Sequence, residues 1–461
     1  MQLPNILKTP SFFQGFHWFA DPIGFMEKAA QQYPDIFTAR LVDYRGRVVF
    51  VNHPQAIQFI FTNDGGKKLA TSDKLDKFFL PITGDCSMMV SQGERHKRKR
   101  QLVMPAFHKE RMQAYGELIC NVTEKCFDRL LQNQPFSARV AMQDIALQVT
   151  LQAVLGLTEG EHYEQLKRLI VLMMKIFQPL NTSFLFFPFL QKDLGAWNSW
   201  GRFVRYRQMI DKIIYAEIAK RREQPDSNRI DILSLLMLAR DEEGEAMTDQ
   251  ELRDEIVTLL AAGMETTAVA MTWNLYWTHQ KPGVREKLLQ ELGSLGDSPD
   301  PMSIAKLPYL TAVCNETLRI HPVGVVTFPR KVQEPVELLG HKLKPGTILV
   351  PCPYLLHQRE DLYPQPKQFQ PERFLERQFS PYEFIPFGGG VRRCIGQAFA
   401  LFEMKLVLAT ILQRYQLALA DNRPERPVRR GTGTGPARGV KMVITAYTSQ
   451  VVRQELVNSS R

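Results

Sequence analysis

The feature that most constrains this chain is a proline-free pattern opening at Thr248 and running to about Gln280. Thr248 and Glu251 stand three residues apart, the spacing of a capping box, in which each side chain satisfies a backbone donor of the other residue. From there the pattern predicts a helix roughly 48 Å long at 1.5 Å per residue. That exceeds the usual range, so the helix must cross the whole body of the protein and the rest must fold around it.

The other segments are consistent with a mainly α protein carrying small β-sheets. Phe37 to Val51 reads as two extended runs around Arg45-Gly46-Arg47, a hairpin. Arg202 to Arg222 has helical apolar spacing and a cationic end, as a helix C-terminus favours. Pro351 to Pro386 has little periodicity, a second long helix runs through Leu406 to about Tyr415, and Arg423 to Val443 reads as loop and hairpin. With 461 residues, 44% hydrophobic and 23% charged, the chain has the composition of a globular protein with a large core. Length alone would suggest several domains. However, there is no internal repeat or Gly/Ser-rich linker, and Gln224 to Arg229 is short enough to be a loop between helices. One domain over 1–461 is expected.

The N-terminal segment contains Lys8, Asp21 and Glu27 and lacks a continuous apolar run, so neither a secretory signal nor a membrane span is expected. The expected location is the cytoplasm. Cys86, Cys120, Cys126, Cys314, Cys352 and Cys394 are scattered without a C-x-x-C pair, which argues against a disulfide framework or a zinc site.

Cys394 stands in FGGGVRRCIG (Phe387 to Gly396). The glycines permit backbone conformations and close approaches that a side chain would block, and can turn amide hydrogens toward the sulfur. The pattern from Ala398 to Leu408 begins a helix directly afterwards, and Arg392 and Arg393 precede the cysteine. A helix start and two cations both favour thiolate over thiol. A buried cysteine beside a glycine turn is the plainer reading of a Cys-Gly pair alone. The segment as a whole resembles the haem-binding signature of the cytochrome P-450 family, which Phe387, Gly390, Arg392, Cys394 and Gly396 match. The resemblance implies haem b (iron protoporphyrin IX), with Cys394 as the iron's thiolate ligand and the cofactor held between the long helix and the cysteine-loop helix.

On the long helix, AGMETT (Ala262 to Thr267) is similar to the family's acid-alcohol motif. Gly263 would leave a gap for a flat cofactor or small ligand against Ala262. The Thr266 hydroxyl can bond back to the Ala262 carbonyl and bend the helix. Glu265 would set a carboxyl beside that hydroxyl, and the two would deliver the protons that O–O cleavage requires. Taken alone, the hexapeptide equally describes a glycine-notched helix packed on a neighbour.

Glu316 and Arg319 in ETLR share a helix face at i, i+3. The resemblance joins them to Arg373 of Pro371-Glu372-Arg373-Phe374 in a buried triad that specifies the fold. His96 and Arg100 in GERHKRKR (Gly93 to Arg100) share a face suited to one haem propionate, although many family members carry tryptophan where His96 stands. Arg330 and Arg392 are expected to meet the propionates from the other sides. Lys97, Arg98 and Lys99 fall on the opposite side of that helix, and the net charge is +10. A solvated cationic face there would steer an acidic ferredoxin rather than bind nucleic acid. The chain is too short for a fused reductase, so a separate ferredoxin and ferredoxin reductase are the implied partners.

Phe184 to Leu190 (FLFFPFL) occupies the family's substrate lid, and 75–89 would form the other wall of the pocket. Both imply a lipophilic substrate of fatty-acid or terpenoid type and, for the lid, transient membrane contact. The implied reaction is insertion of one oxygen atom from O2 into a C–H bond by a monomeric monooxygenase. A haem-thiolate sensor or lipid-binding protein without turnover is the alternative.

Overall fold

The computed structural model describes residues 3–41, 46–73, 76–107, 109–177, 191–226, 228–296, 299–421, 423–431 and 433–448. Its longest element is the expected helix, Asp249–Gln280, with both halves of the capping box formed. The Glu251 amide donates to the Thr248 hydroxyl at 3.2 Å, and the Thr248 amide donates to the Glu251 carboxylate at 3.0 Å. The helix is long and apolar enough to cross a bilayer, yet 67% of its most apolar stretch is buried inside the protein. It is therefore a strut through the core.

Three helices pack on it most extensively. Ala138–Leu155, most of whose residues are buried, packs along it, ending at Gly156 in the left-handed conformation (φ 61°) that a glycine takes at a helix end without strain. Gln397–Arg414, the helix after the cysteine loop, and Pro308–Ile320 pack on it from other sides. The two halves of the long helix serve different cores. Ala268 to Tyr276 joins a cluster with Tyr115, Leu310, Leu406 and Ile444, whereas Leu252 to Met264 joins one with Leu102, Leu151, Leu166 and Ile214. Between them lies the site. The predicted helix around Arg202 to Arg222 forms over Ser199–Glu223.

Ile36–Leu41 and Gly46–Val51 form the predicted antiparallel hairpin, with Ile36 opposite Val51. Strands Ile348–Pro351, Arg330–Val332 and Leu69–Thr71 extend it to five strands. This sheet brings Arg330 and Thr71 toward the centre. The C-terminal hairpin pairs Pro427–Arg430 with Gly433–Pro436. The aperiodic stretch from Pro351 holds only the short helices Pro353–His357 and Arg373–Glu376. The six cysteines are unpaired.

Candidate active site

A cavity of about 1180 Å³ separates the long helix from the cysteine loop. Ala261, Ala262 and Thr266 line one side, and Phe387, Gly389 and Cys394 the other. The loop's glycines are set by packing. A Cβ on Gly389 would collide with the Phe61 ring, and one on Gly390, at φ +66°, would meet the Asp64 carboxylate. Asp64 ties the loop down by accepting the Val391 amide at 3.0 Å and pairing with Arg330 at 2.8 Å. The Cys394 amide donates to the Phe387 carbonyl at 3.0 Å, closing the loop.

Cys394 lines the cavity. Burial raises its pKa above the usual thiol value, and the Gly396 amide, Arg100 and Arg393 offset this only in part. Gly396 is the N-cap, so Cys394 stands ahead of the first helical turn, where the helix field has weakened. A metal cation on the sulfur would displace the proton outright.

His96, Arg100, Arg330 and Arg392 all line the cavity, as expected. Burial, then Arg392, Arg100 and Arg330, push the His96 pKa down to about 4, so its ring is neutral at pH 7. Burial and Arg330 push Arg392 down to about 10. Arg330 is held by Asp64 and donates to the Gly389 carbonyl at 3.0 Å. Its Nε is buried without a partner among the described residues. Arg392 donates to the Thr71 hydroxyl at 3.1 Å and the Met88 carbonyl at 3.0 Å, and Arg100 to the Arg393 carbonyl at 2.7 Å. Arg330 and Arg100 both depress Arg392, and cations gathered with so few carboxylates nearby fit a ligand bearing two of them. The volume also exceeds the roughly 300–1,000 Å³ of an ordinary single-ligand pocket. Haem with a second molecule fits on both grounds.

On the long helix, Thr266 donates its hydroxyl to the Ala262 carbonyl at 2.6 Å, as expected. Two other expectations need correction. Gly263 faces away from the cavity: a Cβ there would meet Thr150 of the Ala138–Leu155 helix at 3.5 Å, an ordinary van der Waals contact. The bare wall is made by Ala261 and Ala262. The Glu265 carboxylate does not sit against the Thr266 hydroxyl; it pairs with Arg139 at 2.7 Å and accepts from the Gln143 amide. A neighbour in sequence is about 100° away around a helix, and the first turns of the Ala138–Leu155 helix offer a cation.

The ion triad forms as expected. Glu316 accepts from Arg319 at 2.6 and 2.8 Å and from Arg373 at 3.2 Å, with both residues of the Glu316–Arg319 pair fully buried. The remaining donors reach backbone carbonyls of His357 and Pro364. His357 Nε2 accepts the Ile385 amide at 3.0 Å, and burial holds the ring neutral.

The cationic face expected from Lys97, Arg98 and Lys99 is not there as such. Lys99 is buried against Glu251 at 2.9 Å, and Arg98 binds Asp241 at 2.5 Å and Glu251 at 3.0 Å. These contacts pin the basic helix, Gly93–Val103, to the start of the long helix. They also hold the Glu251 carboxyl below its usual range, although burial alone would raise it. Only Lys97, with Arg95 nearby, is left to solvent. Sequence reasoning missed Asp64, Arg139, Gln143 and Asp241. Each lies far along the chain from its partner, and no local pattern marks it.

The upper cavity is apolar. Phe78, Phe79 and Ile82 of Asp76–Thr83, with Met88 and Met89, form the wall expected from 75–89, and Met173, Phe177 and Phe203 face them. The expected lid, 184–190, lies outside the described residues.

A cysteine sulfur at the floor, cations at the rim and an apolar roof define a pocket for a flat, dianionic, metal-bearing cofactor beside a lipophilic ligand. The chain belongs to the cytochrome P450 family, whose model matches residues 6–440. It is 32% identical over 436 residues to the Mycobacterium bovis protein named as cytochrome P450 135B1, covering 93% of this chain and 90% of that one. Against the Mycobacterium tuberculosis protein named as cytochrome P450 135A1 it is 30% identical over 443 residues, covering 96% and 93%. A solved structure of cyanobacterial CYP120A1 with retinoic acid bound superposes with a TM-score of 0.82, over 97% of this chain and all of that one, at 24% identity. That likeness shows the cytochrome P450 fold, mainly α with small sheets. The family is one of haem-thiolate monooxygenases, and its cofactor is protoporphyrin IX haem.

Proposed function

We propose that this protein inserts one oxygen atom of O2 into a C–H bond of a lipophilic substrate, of fatty-acid or terpenoid type. The observation that carries the reading is a shared space: the Cys394 sulfur, the Thr266 hydroxyl and the apolar wall all line one cavity. In this reading Cys394 holds the iron, and His96, Arg100, Arg330 and Arg392 face the two propionates. Bound there, haem supplies the O2 binding and one-electron chemistry that no side chain can.

The chain's own residues do the rest. Phe387, Ala262 and the small loop glycines shape the slot on either side. Phe78, Phe79, Ile82 and Phe203 exclude water and hold an apolar substrate. Thr266 turns its hydroxyl from the Ala262 carbonyl into the cavity and gives a proton there. Glu265, once released by Arg139, is the carboxyl nearest in sequence to resupply it. Electrons come singly from a separate ferredoxin and its reductase, with Arg95 and Lys97 as the exposed cations of the basic helix. The protein works as a monomer of one domain in the cytoplasm; one core cluster draws together residues from Met112 to Ile444.

The test is NADPH consumption by the haem-loaded protein, with ferredoxin and ferredoxin reductase, against a panel of fatty acids, terpenoids and alkanes. A substrate-induced spectral shift accompanied by a product carrying one added oxygen is expected. Haem and ligand binding without product in any case would make this a haem-thiolate sensor or lipid carrier instead.

A further inference from the structure

The Ser11–Ala20 helix (SFFQGFHWFA) is turned inside out. Of its ten residues only Gln14 and Trp18, one turn apart, are buried. The Gln14 amide donates to the Thr9 carbonyl at 2.6 Å, and its Oε1 accepts the Arg40 backbone amide at 2.8 Å. Trp18 packs edge-on against Phe25 and Phe50, with ring centroids 6.0 and 5.6 Å away. These contacts fix the helix's rotation, and that rotation leaves Phe12, Phe13 and Phe16 77%, 51% and 61% exposed. A helix adapted to water does the reverse, burying its phenylalanines and exposing its glutamine. Phenylalanines held outward by a buried glutamine mark a face shaped for a medium other than water.

The charge beside this face points to the medium. Lys8 is exposed just before the helix, and Arg40, on the strand the helix rests on, is exposed directly across the hairpin from exposed Arg47. Like charges placed opposite each other on a hairpin are unfavourable unless something anionic meets them. None of the three has a carboxylate partner among the described residues. We propose that this face docks on an anionic lipid surface, with the phenylalanines at the boundary of headgroups and acyl chains and the cations on lipid phosphates. A second copy fits less well, because a two-fold pairing would set each copy's cations against the other's.

Full-length, haem-loaded protein is mixed with phosphatidylcholine vesicles containing ~30% phosphatidylglycerol, and with pure phosphatidylcholine vesicles, and sedimented. Binding to the anionic vesicles is expected, weakening at least about tenfold on neutral vesicles or in high salt. The combined Phe12→Ser, Phe13→Ser and Phe16→Ser variant should keep its melting temperature and haem spectrum while binding at least about tenfold more weakly. A Phe16→Trp variant should show blue-shifted emission on anionic vesicles. Absent wild-type binding, equal binding by the triple variant or an unshifted Trp emission each overturns the proposal. So does a wild-type dimer that the triple variant converts to monomer, since the face would then be a contact between copies.

Discussion

Thr266 donates its only hydroxyl proton to the Ala262 carbonyl, and the same side chain lines the cavity that holds the Cys394 sulfur. If it is the proton donor, Thr266→Ala should still bind haem and still give the substrate-induced shift. Product per NADPH should then fall at least about tenfold, and up to the 10²–10⁴-fold usual for a general acid, with the missing electrons recovered as peroxide. Thr266→Ser should restore most of the coupling, and an Ala variant coupled as tightly as the wild type would end the assignment. The sequence allowed this residue to be read because its bond is local, four residues back along one helix. Glu265 was legible only by kind. Its partners Arg139 and Gln143 lie 126 and 122 residues away, and hydrophobic periodicity carries no information about pairing at that distance. The Cys394 pKa was legible only in part, for a related reason. Neighbouring arginines are visible in sequence, whereas burial, the larger effect on its pKa, is a property of the folded body.

Between elements, the Glu316 triad joins the Pro308–Ile320 helix to the aperiodic stretch after Pro351, which has little regular hydrogen bonding of its own. Glu316 takes four donors, counting the Gln370 amide at 2.8 Å. Glu316→Gln keeps the volume but leaves the Arg319 and Arg373 charges uncompensated in a buried setting. Chemical denaturation of the haem-loaded protein should show a loss of about 3–5 kcal/mol, with haem released at lower denaturant than in the wild type. A loss below about 1 kcal/mol, the value of an exposed pair, would mean the triad does not hold this stretch in place. The Glu316–Arg319 half could be read from i, i+3 spacing, but Arg373 sits on a segment without periodicity and was placed only by its motif. Gly263 teaches the complementary lesson. Periodicity identifies the helix and its small residues, but which of them faces the cavity depends on how the Ala138–Leu155 helix lies against it.

For the molecule as a whole, a net charge of +10 says less about partners than it promises, because a large share of the cations are occupied inside the protein. Arg98 and Lys99 hold the basic helix to Asp241 and Glu251, while Lys97 has a side chain 62% exposed and, among the described residues, only Glu94 as an ion-pair partner, at 3.7 Å. The fold therefore assigns two consecutive charges different tasks, and charge reversal separates them. Arg95→Glu with Lys97→Glu should leave the melting temperature near the wild-type value and raise the KM for an acidic ferredoxin about tenfold at low salt. The gap should close as ionic strength rises and the Debye length shortens to about 8 Å at 0.15 M. Arg98→Glu should behave oppositely: Asp241 loses its partner, Glu251 keeps only Lys99, and both gain a like charge, so the protein loses stability at every salt concentration. Stopped-flow reduction and thermal melts on the same preparations read both. Parallel salt dependence in the wild type and the Arg95/Lys97 variant would mean that ferredoxin approaches elsewhere, and that the charge on this helix is structural along its whole length.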